Sequence, residues 1–196
     1  MELFDRIDAA RERWDVLRHP FYERWERGDL TRGELAFYAG EYRHAVVALA
    51  RAAAAAGDRE HAREEAEHVA LWDDFATAFG AQLDRDPTGE TRACAEAWGR
   101  DDPLQALAVL YAIESAQPAI SETKLRGLVA HYGVDADAPG ARYFALHAEL
   151  DVEHAQAARD ALVDADPPPA LAGAAERALR ANWELLDGVE RALAAA

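Results

Sequence analysis

The chain has 196 residues, 51% of them hydrophobic, and its 37 acidic and 21 basic residues give a net charge of −16 at pH 7. A chain of this length can bury its own core, so we expect one domain over residues 1–196. The negative charge argues against nucleic acid or an anionic membrane as a partner, and no apolar run is long enough to span a bilayer. The single cysteine, Cys94, excludes an internal disulfide, and the N-terminus carries no secretion signal, so we expect a cytoplasmic location.

The hydrophobic spacing predicts an all-α chain, because no stretch alternates with period two over the length of a strand. An amphipathic helix is expected over 3–18, where it stops before Pro20, and a short helix follows over 21–27. Thr31 is a good N-cap for a long helix that ends at Gly57.

Six further helices are predicted in the rest of the chain. Their expected ranges are about 58–79, 90–99, 104–116, 118–132, 141–164 and 170–195. Asp102 followed by proline suits a helix start, since proline at the first helical position loses no hydrogen bond. Pro118 should kink or restart its helix. We expect Cys94 to lie on a surface helix and to have no nucleophilic role.

Two of the predicted helices carry the same spacing of histidine, acid and histidine. The residues are His61, Glu65 and His68 in the first copy and His147, Asp151 and His154 in the second. Positions i, i+4 and i+7 fall within about 60° of arc on one helix face. Imidazole and carboxylate together suit iron, manganese or zinc, and helical bundles build two-metal sites from such residues on facing helices. The spacing therefore predicts a metal site, with a salt-bridged or solvated helix surface as the alternative.

Two charged residues are unusual for their surroundings. Glu114 lies in an otherwise apolar run, where burial of an unpaired carboxylate is costly unless a cation or an arginine neutralises it. Lys124 is the only lysine of the chain, all other basic residues being arginine. We expect Glu114 to complete the metal site, whereas Lys124 could be functional or a plain surface residue.

Five motifs occur in a specific order between about residues 19 and 160. They are His19-Pro-Phe-Tyr22-x2-Trp25, Tyr38-Ala-x2-Tyr42, His68-x2-Leu-Trp72-x2-Phe75, Tyr111-x2-Glu114-Ser-x2-Pro118 with Lys124-x2-Gly-Leu, and Tyr143-Phe-x2-His147-x3-Asp151-x2-His154. Together they resemble the heme-oxygenase-like dimetal oxidases. Among these, the chain is most similar to the branch of the chlamydial protein associating with death domains, which is implicated in making para-aminobenzoate for folate.

The resemblance implies a bundle of about seven helices that uses dioxygen and binds two transition-metal ions, either two irons or iron with manganese. The implied metal ligands are His68, Glu114, His147, Asp151 and His154. In the para-aminobenzoate branch a tyrosine of the enzyme itself is thought to be the ring source and a lysine the amine donor. Tyr22 and Lys124 match these residues, and Tyr38 and Tyr143 match aromatic residues that line the site. Tyr22 could equally be a plain core residue.

The chain departs from the family pattern at the first ligand, where the family has a glutamate and this sequence has His61. Either His61 replaces the acid or Glu65 takes its role. We favour Glu65, because a dimetal site needs carboxylates to balance and bridge its charge. His61 and His68 are about 10 Å apart along an ideal helix axis, so both can bind only if they flank the metal pair or if the helix bulges.

Other functions remain open from the sequence alone. The oxidase could act on a small-molecule substrate instead of its own tyrosine. Thiamin-pyrimidine hydrolysis on the same fold needs a cysteine where this chain has Leu107-Ala108-Val109. Heme breakdown would need a proximal histidine on the first helix and a glycine-rich distal helix, and neither is evident. A non-enzymatic helical module that binds a partner, and a homodimer, are further possibilities.

Overall fold

The computed structural model describes residues 2–195, which form nine α-helices and two short 3₁₀ turns and contain no strand. The α-helices are α1 (Leu3–Arg13), α2 (Pro20–Arg27), α3 (Arg32–Ala56), α4 (Arg59–Phe79), α5 (Gly89–Trp98), α6 (Pro103–Glu114), α7 (Gln117–His131), α8 (Pro139–Ala165) and α9 (Ala172–Ala194). The all-α prediction is confirmed. The resemblance implies about seven helices, and residues 2–195 form nine. Two of these, α2 and α5, are short, with eight and ten residues.

The first helix is shorter than predicted. It ends at Arg13 and not at residue 18, and a 3₁₀ turn over Val16–Arg18 follows it. The Asp15 side chain accepts a hydrogen bond from the backbone N–H of Leu17 at 3.1 Å. An aspartate that bonds to the backbone two residues ahead offers the chain an alternative to the helix, which explains the early end.

The other helix boundaries follow the predicted capping residues. Thr31 and Glu34 form a capping box at the start of α3, and Gly57 ends that helix in the left-handed conformation, with φ of 97°. Asp102 accepts a hydrogen bond from Gln105 N at the start of α6. These caps satisfy backbone groups that a helix end leaves unpaired.

Four helix contacts position the candidate site. Helix α4 packs against α3 on one side and against α8 on the other, and α8 also contacts α6 and α7. The two helices that carry the histidine triads are therefore direct neighbours. A single cluster of buried apolar residues contains side chains from all nine helices. None of the described helices is both long enough and apolar enough to cross a membrane.

Helix α5 has an exposed face, as expected of a surface helix, but Cys94 does not lie on that face. Helix α5 packs between α3 and α9, and its residues Cys94 and Trp98, which share one face, are buried, with Cys94 0% exposed. Burial raises the pKa of the Cys94 thiol, because a thiolate is poorly solvated there. The expectation that Cys94 is not a nucleophile is consistent with this environment.

Candidate metal centre

The two histidine triads face each other across the contact between α4 and α8. The rings of His61 and His154 have centroids 4.2 Å apart, and those of His68 and His147 are 4.5 Å apart. Each pair thus combines one histidine from each helix. The reading of both triads as solvated helix surfaces is wrong, because Glu65, His68, His147 and Asp151 are all buried.

Ligand-type atoms form two groups at this contact, in each of which they lie within 4.8 Å of one another. One group contains His61, Glu65, Glu114 and His154, and the other contains Glu65, His68 and His147. Glu65 belongs to both groups, so its carboxylate is placed where it can bridge two ions. Helix α4 is a continuous α-helix from Arg59 to Phe79, without a bulge. Of the two alternatives for His61 and His68, an unbulged helix fits the one in which they would flank a pair of metal ions. Both His61 and Glu65 belong to the first donor group.

Asp151 is the one proposed ligand outside both groups. Its Oδ1 lies 3.6 Å from Nδ1 of His154, and the side chain is buried beside the first group. Asp151 is therefore close enough to contribute charge to the centre.

Seven buried polar atoms at this centre have no hydrogen-bond partner among residues 2–195. They are His61 Nε2, both carboxylate oxygens of Glu114, His147 Nε2, both carboxylate oxygens of Asp151, and His154 Nδ1. His61 Nε2 lies 3.0 Å from Glu114 Oε1, but without the alignment of a hydrogen bond. Buried polar atoms are rarely left unsatisfied, and imidazole nitrogens with carboxylate oxygens are suitable ligands for iron and manganese. The residues present therefore fit a metal centre.

Two of the histidines are held by hydrogen bonds on the ring nitrogen that faces away from the centre. His147 Nδ1 donates to the backbone carbonyl of Tyr143 at 2.7 Å, and His154 Nε2 donates to Glu64 Oε2 at 3.1 Å. In the neutral imidazoles, these bonds would leave Nε2 of His147 and Nδ1 of His154 available to bind a metal ion. Such outer hydrogen bonds orient metal-binding imidazoles and select their tautomer. Glu64 was missed by the sequence reasoning, because nothing distinguishes it from the other charged residues of that segment.

A second polar cluster lies in the core between α2, α3 and α7. Lys124 Nζ donates a hydrogen bond to the Tyr38 hydroxyl at 2.9 Å, and the hydroxyls of Tyr38 and Tyr22 are 2.7 Å apart. The Lys124 amine also lies 4.7 Å from the centre of the Tyr22 ring. Lys124 is 1% exposed, so its interpretation as a surface lysine is wrong.

Comparison with known proteins agrees with this geometry. The family model described as iron-containing redox enzyme matches residues 37–187. The chain belongs to this family. A 4-aminobenzoate synthase of Nitrosomonas europaea is 32% identical to it over 94% of this chain and 89% of the relative. A 4-aminobenzoate synthase of Chlamydia muridarum is 30% identical over 80% and 75%, respectively.

A solved structure supports the fold independently. A domain of unknown function with a heme oxygenase-like fold, from Shewanella denitrificans, superposes with a TM-score of 0.78 over 98% of this chain and 94% of that chain. The sequences are 19% identical, so this similarity concerns the fold alone. The resemblance drawn from the five motifs is confirmed, and this family member is an oxidoreductase, which argues against the hydrolase and the non-enzymatic module.

The pKa values at the centre show how poorly the protein alone compensates its buried carboxylates. Burial raises the pKa values of Glu114 and Asp151, although His61 and His154 respectively oppose the rise. Burial would also raise the pKa of Glu65, but the hydrogen bond with His68 at 2.8 Å and the nearby His147 and His61 together lower it. Positive charge at the centre would favour the charged form of all three carboxyls, as metal ions do.

Aromatic rings in contact join the metal centre to the lysine cluster. The Tyr143 ring stacks on His147 with centroids 3.9 Å apart, and Trp72 lies 4.9 Å from Tyr143 and 6.0 Å from Tyr38. Trp72 is buried. Tyr143 and Tyr38, predicted to line the site, lie on this path, so the two clusters share one dry, aromatic environment.

Proposed function

We propose that the chain is an oxygen-dependent dimetal oxidase that forms 4-aminobenzoate, with Tyr22 as the source of the ring and Lys124 as the donor of the amine. The observation that carries the proposal is the buried hydrogen-bonded series Lys124, Tyr38 and Tyr22. It puts the only lysine of the chain within reach of a tyrosine ring. The names of the relatives supply the product.

The donor geometry supports a site for two ions. One ion would be held by His61, Glu65, Glu114 and His154, and the other by Glu65, His68 and His147. Asp151 would add its charge beside the first ion. Two irons, or iron with manganese, would supply the redox chemistry that uses dioxygen.

The side chains of the second polar cluster would prepare Lys124, the amine donor, and Tyr22, the ring source, for the reaction. Burial lowers the pKa of Lys124 well below its ordinary value, which favours the neutral amine with a lone pair for bond formation. Tyr38 accepts a hydrogen bond from this amine and contacts the Tyr22 hydroxyl. It would therefore fix the distance between the nitrogen and the ring. The surrounding aromatic side chains exclude water from both groups.

Isotope labelling tests the proposal directly. Because Lys124 is the only lysine, protein grown with ε-¹⁵N-lysine carries the label at this single side chain. After anaerobic loading with iron and manganese and exposure to oxygen, mass spectrometry should find ¹⁵N in 4-aminobenzoate, and ring-labelled tyrosine should give a labelled ring. Unlabelled product would contradict both donor assignments and favour a small-molecule substrate.

Substitutions provide the matching test. Tyr22→Phe and Lys124→Ala should abolish the product while the metal content stays unchanged. Tyr111→Phe is the control, because Tyr111 packs edge-on against Phe4 and takes no part in the hydrogen bonds of the lysine cluster, so this variant should keep full activity. Product formation by Tyr22→Phe or Lys124→Ala would rule out the corresponding role. The cytoplasmic location, the homodimer and the single domain stay predictions from the sequence.

A further inference from the structure

A cleft of about 710 Å³ opens on the surface of the protein. It lies between α1, the 3₁₀ turn that follows it, the junction of α6 and α7, and α9. Its apolar wall is formed by Val16, Leu17, Ile113, Ile120 and Leu179. A cleft of this size suits a small organic molecule. None of the proposed metal ligands lines it, and neither Tyr22 nor Lys124 does.

Polar residues also line the cleft, and two of their polar atoms lack a hydrogen-bond partner within residues 2–195. Gln117 and Asn182 line it and are only 3% and 4% exposed. Asn182 Oδ1 and the indole N–H of Trp14, another lining residue, have no hydrogen-bond partner among the described residues. A polar ligand in the cleft could provide these missing partners.

One face of α7 connects the cleft with the lysine cluster. Gln117, Ser121 and Lys124 are spaced i, i+4 and i+7, so they share a helix face and span about 10 Å along the axis. All three are buried, and Ser121 Oγ has no hydrogen-bond partner within residues 2–195. Burial raises the pKa of Tyr143, and the nearby Gln117 amide opposes this rise. The polar stripe therefore runs from the cleft into the site where the amine donor lies.

The mouth of the cleft is rich in arginine, although the chain as a whole is strongly acidic. Arg11, Arg13 and Arg18 line it together with Glu12 and Asp15. Asp8 pairs with Arg11 at 2.9 Å, and Asp15 pairs with Arg18 at 3.4 Å.

Arg13 differs from the other two arginines. Its guanidinium lies 5.2 Å from the centre of the Trp14 ring, and no carboxylate of the described chain is within ion-pair distance of it. A guanidinium without a carboxylate partner can bind an anion through charge-assisted hydrogen bonds, while the indole and the apolar wall can contact an aromatic ring. The carboxylate of an aromatic acid could therefore contact Arg13, and its ring could contact the indole and the apolar wall.

We propose that this cleft binds an aromatic monocarboxylate, with its carboxylate on Arg13 and its ring against the apolar wall, and that 4-aminobenzoate leaves the enzyme through it. The choice of 4-aminobenzoate as the ligand rests on the proposed function, whereas the position of the site rests on the residues that line the cleft. The stripe of Gln117 and Ser121 forms the connection between the place of synthesis and the cleft.

Equilibrium binding to the metal-loaded protein tests the site without turnover. Quenching of tryptophan fluorescence, with Trp14 in the cleft, should report saturable binding of 4-aminobenzoate. The neutral 4-aminobenzamide should bind about tenfold more weakly, as expected for the loss of a hydrogen bond between charged partners. Equal affinities for acid and amide would overturn the proposal.

Two substitutions locate the site. Arg13→Gln should weaken binding of the acid about tenfold and leave the amide unaffected, whereas Arg92→Gln, at an exposed arginine of α5, should change neither. Ile120→Trp should fill the cleft and abolish binding of both compounds, with the melting temperature as a check of folding. Because Arg13 is exposed, its substitution remains decisive if the tryptophan variant fails to fold. The same affinity in Arg13→Gln and Arg92→Gln would refute the assignment.

The outcomes separate this inference from the proposed function. Arg13-dependent binding in a protein that makes no 4-aminobenzoate would retain the cleft as an aromatic-acid site and refute only the reaction. Labelled product from a protein that does not bind the acid in the cleft would retain the reaction and refute only the cleft.

Discussion

Lys124 Nζ donates a hydrogen bond to the hydroxyl of Tyr38 over 2.9 Å, inside a core in which neither side chain is more than 1% exposed. No carboxylate of the described chain lies within ion-pair distance of this amine. Burial therefore lowers the pKa of Lys124 well below its ordinary value. A lysine whose pKa is lowered by burial costs stability at pH values below its ordinary pKa, because the same group binds a proton more readily when the chain unfolds.

This relationship predicts an unusual pH dependence of stability. Since the pKa of Lys124 is lower in the folded than in the unfolded protein, the unfolded state binds more protons between the two values. Wild-type stability relative to Lys124→Met should therefore rise as the pH increases towards the ordinary lysine pKa of about 10.4, by at most about 1.4 kcal/mol per pH unit. Urea unfolding of the metal-free proteins at several pH values measures the difference. Tyr38→Phe keeps the lysine and should retain the wild-type slope, while parallel curves for wild type and Lys124→Met would contradict the prediction.

Glu65 should be required for both metal ions, because it is the one residue shared by the two donor groups. Glu65→Gln removes the charge but keeps the size of the side chain. We expect the metal content after anaerobic iron loading to fall from two ions per chain to one or fewer. Glu67→Gln, at an exposed position of the same helix, serves as the control. Full loading of Glu65→Gln, measured by mass spectrometry of the metals, would show that Glu65 is not shared.

Glu64 should strengthen metal binding without being a ligand, since it accepts the hydrogen bond from the outer nitrogen of His154. Loss of such a partner typically weakens metal affinity by about 10- to 100-fold. Glu64→Ala should show this loss in competition with a chelator. Glu64→Gln offers an amide oxygen to the same N–H and should restore most of the affinity. Equal affinities of wild type and Glu64→Ala would mean that the hydrogen bond does not position His154.

Cys94 should be chemically inert in the folded protein, because its side chain is buried and its thiol pKa is raised by burial. A thiol reagent should modify it only after denaturation. Cys94→Ala should keep 4-aminobenzoate formation, at a stability cost of about 1 kcal/mol for the small cavity. Loss of activity in a folded Cys94→Ala protein would instead point to cysteine chemistry.

Much of the candidate site could be predicted because helical periodicity is a local property. The spacing of His147, Asp151 and His154 places them on one face of a helix whatever the helix packs against. The apolar run around Glu114 similarly indicated that this carboxylate would be buried, as it is. The residues of the second cluster were found differently, since composition singled out Lys124 as the only lysine and only the resemblance drew attention to Tyr22.

One local prediction failed because a competing interaction decided the outcome. The first helix ends early because Asp15 bonds to the backbone of Leu17. The burial of Cys94 depends on packing instead, because its face of α5 lies against α3 and α9. The sequence of a short helix does not show which neighbours cover that face.

The sequence by itself determined the all-α class, most helix boundaries and the face on which each triad lies, because these depend on residues within a few turns of one another. Only the tertiary structure decided that Glu65 is shared between two donor groups, that Glu64 holds His154, and that Lys124 meets Tyr38 and Tyr22. It also decided where the arginine-rich cleft opens. These features join residues on different helices, and their geometry is set by how the helices pack.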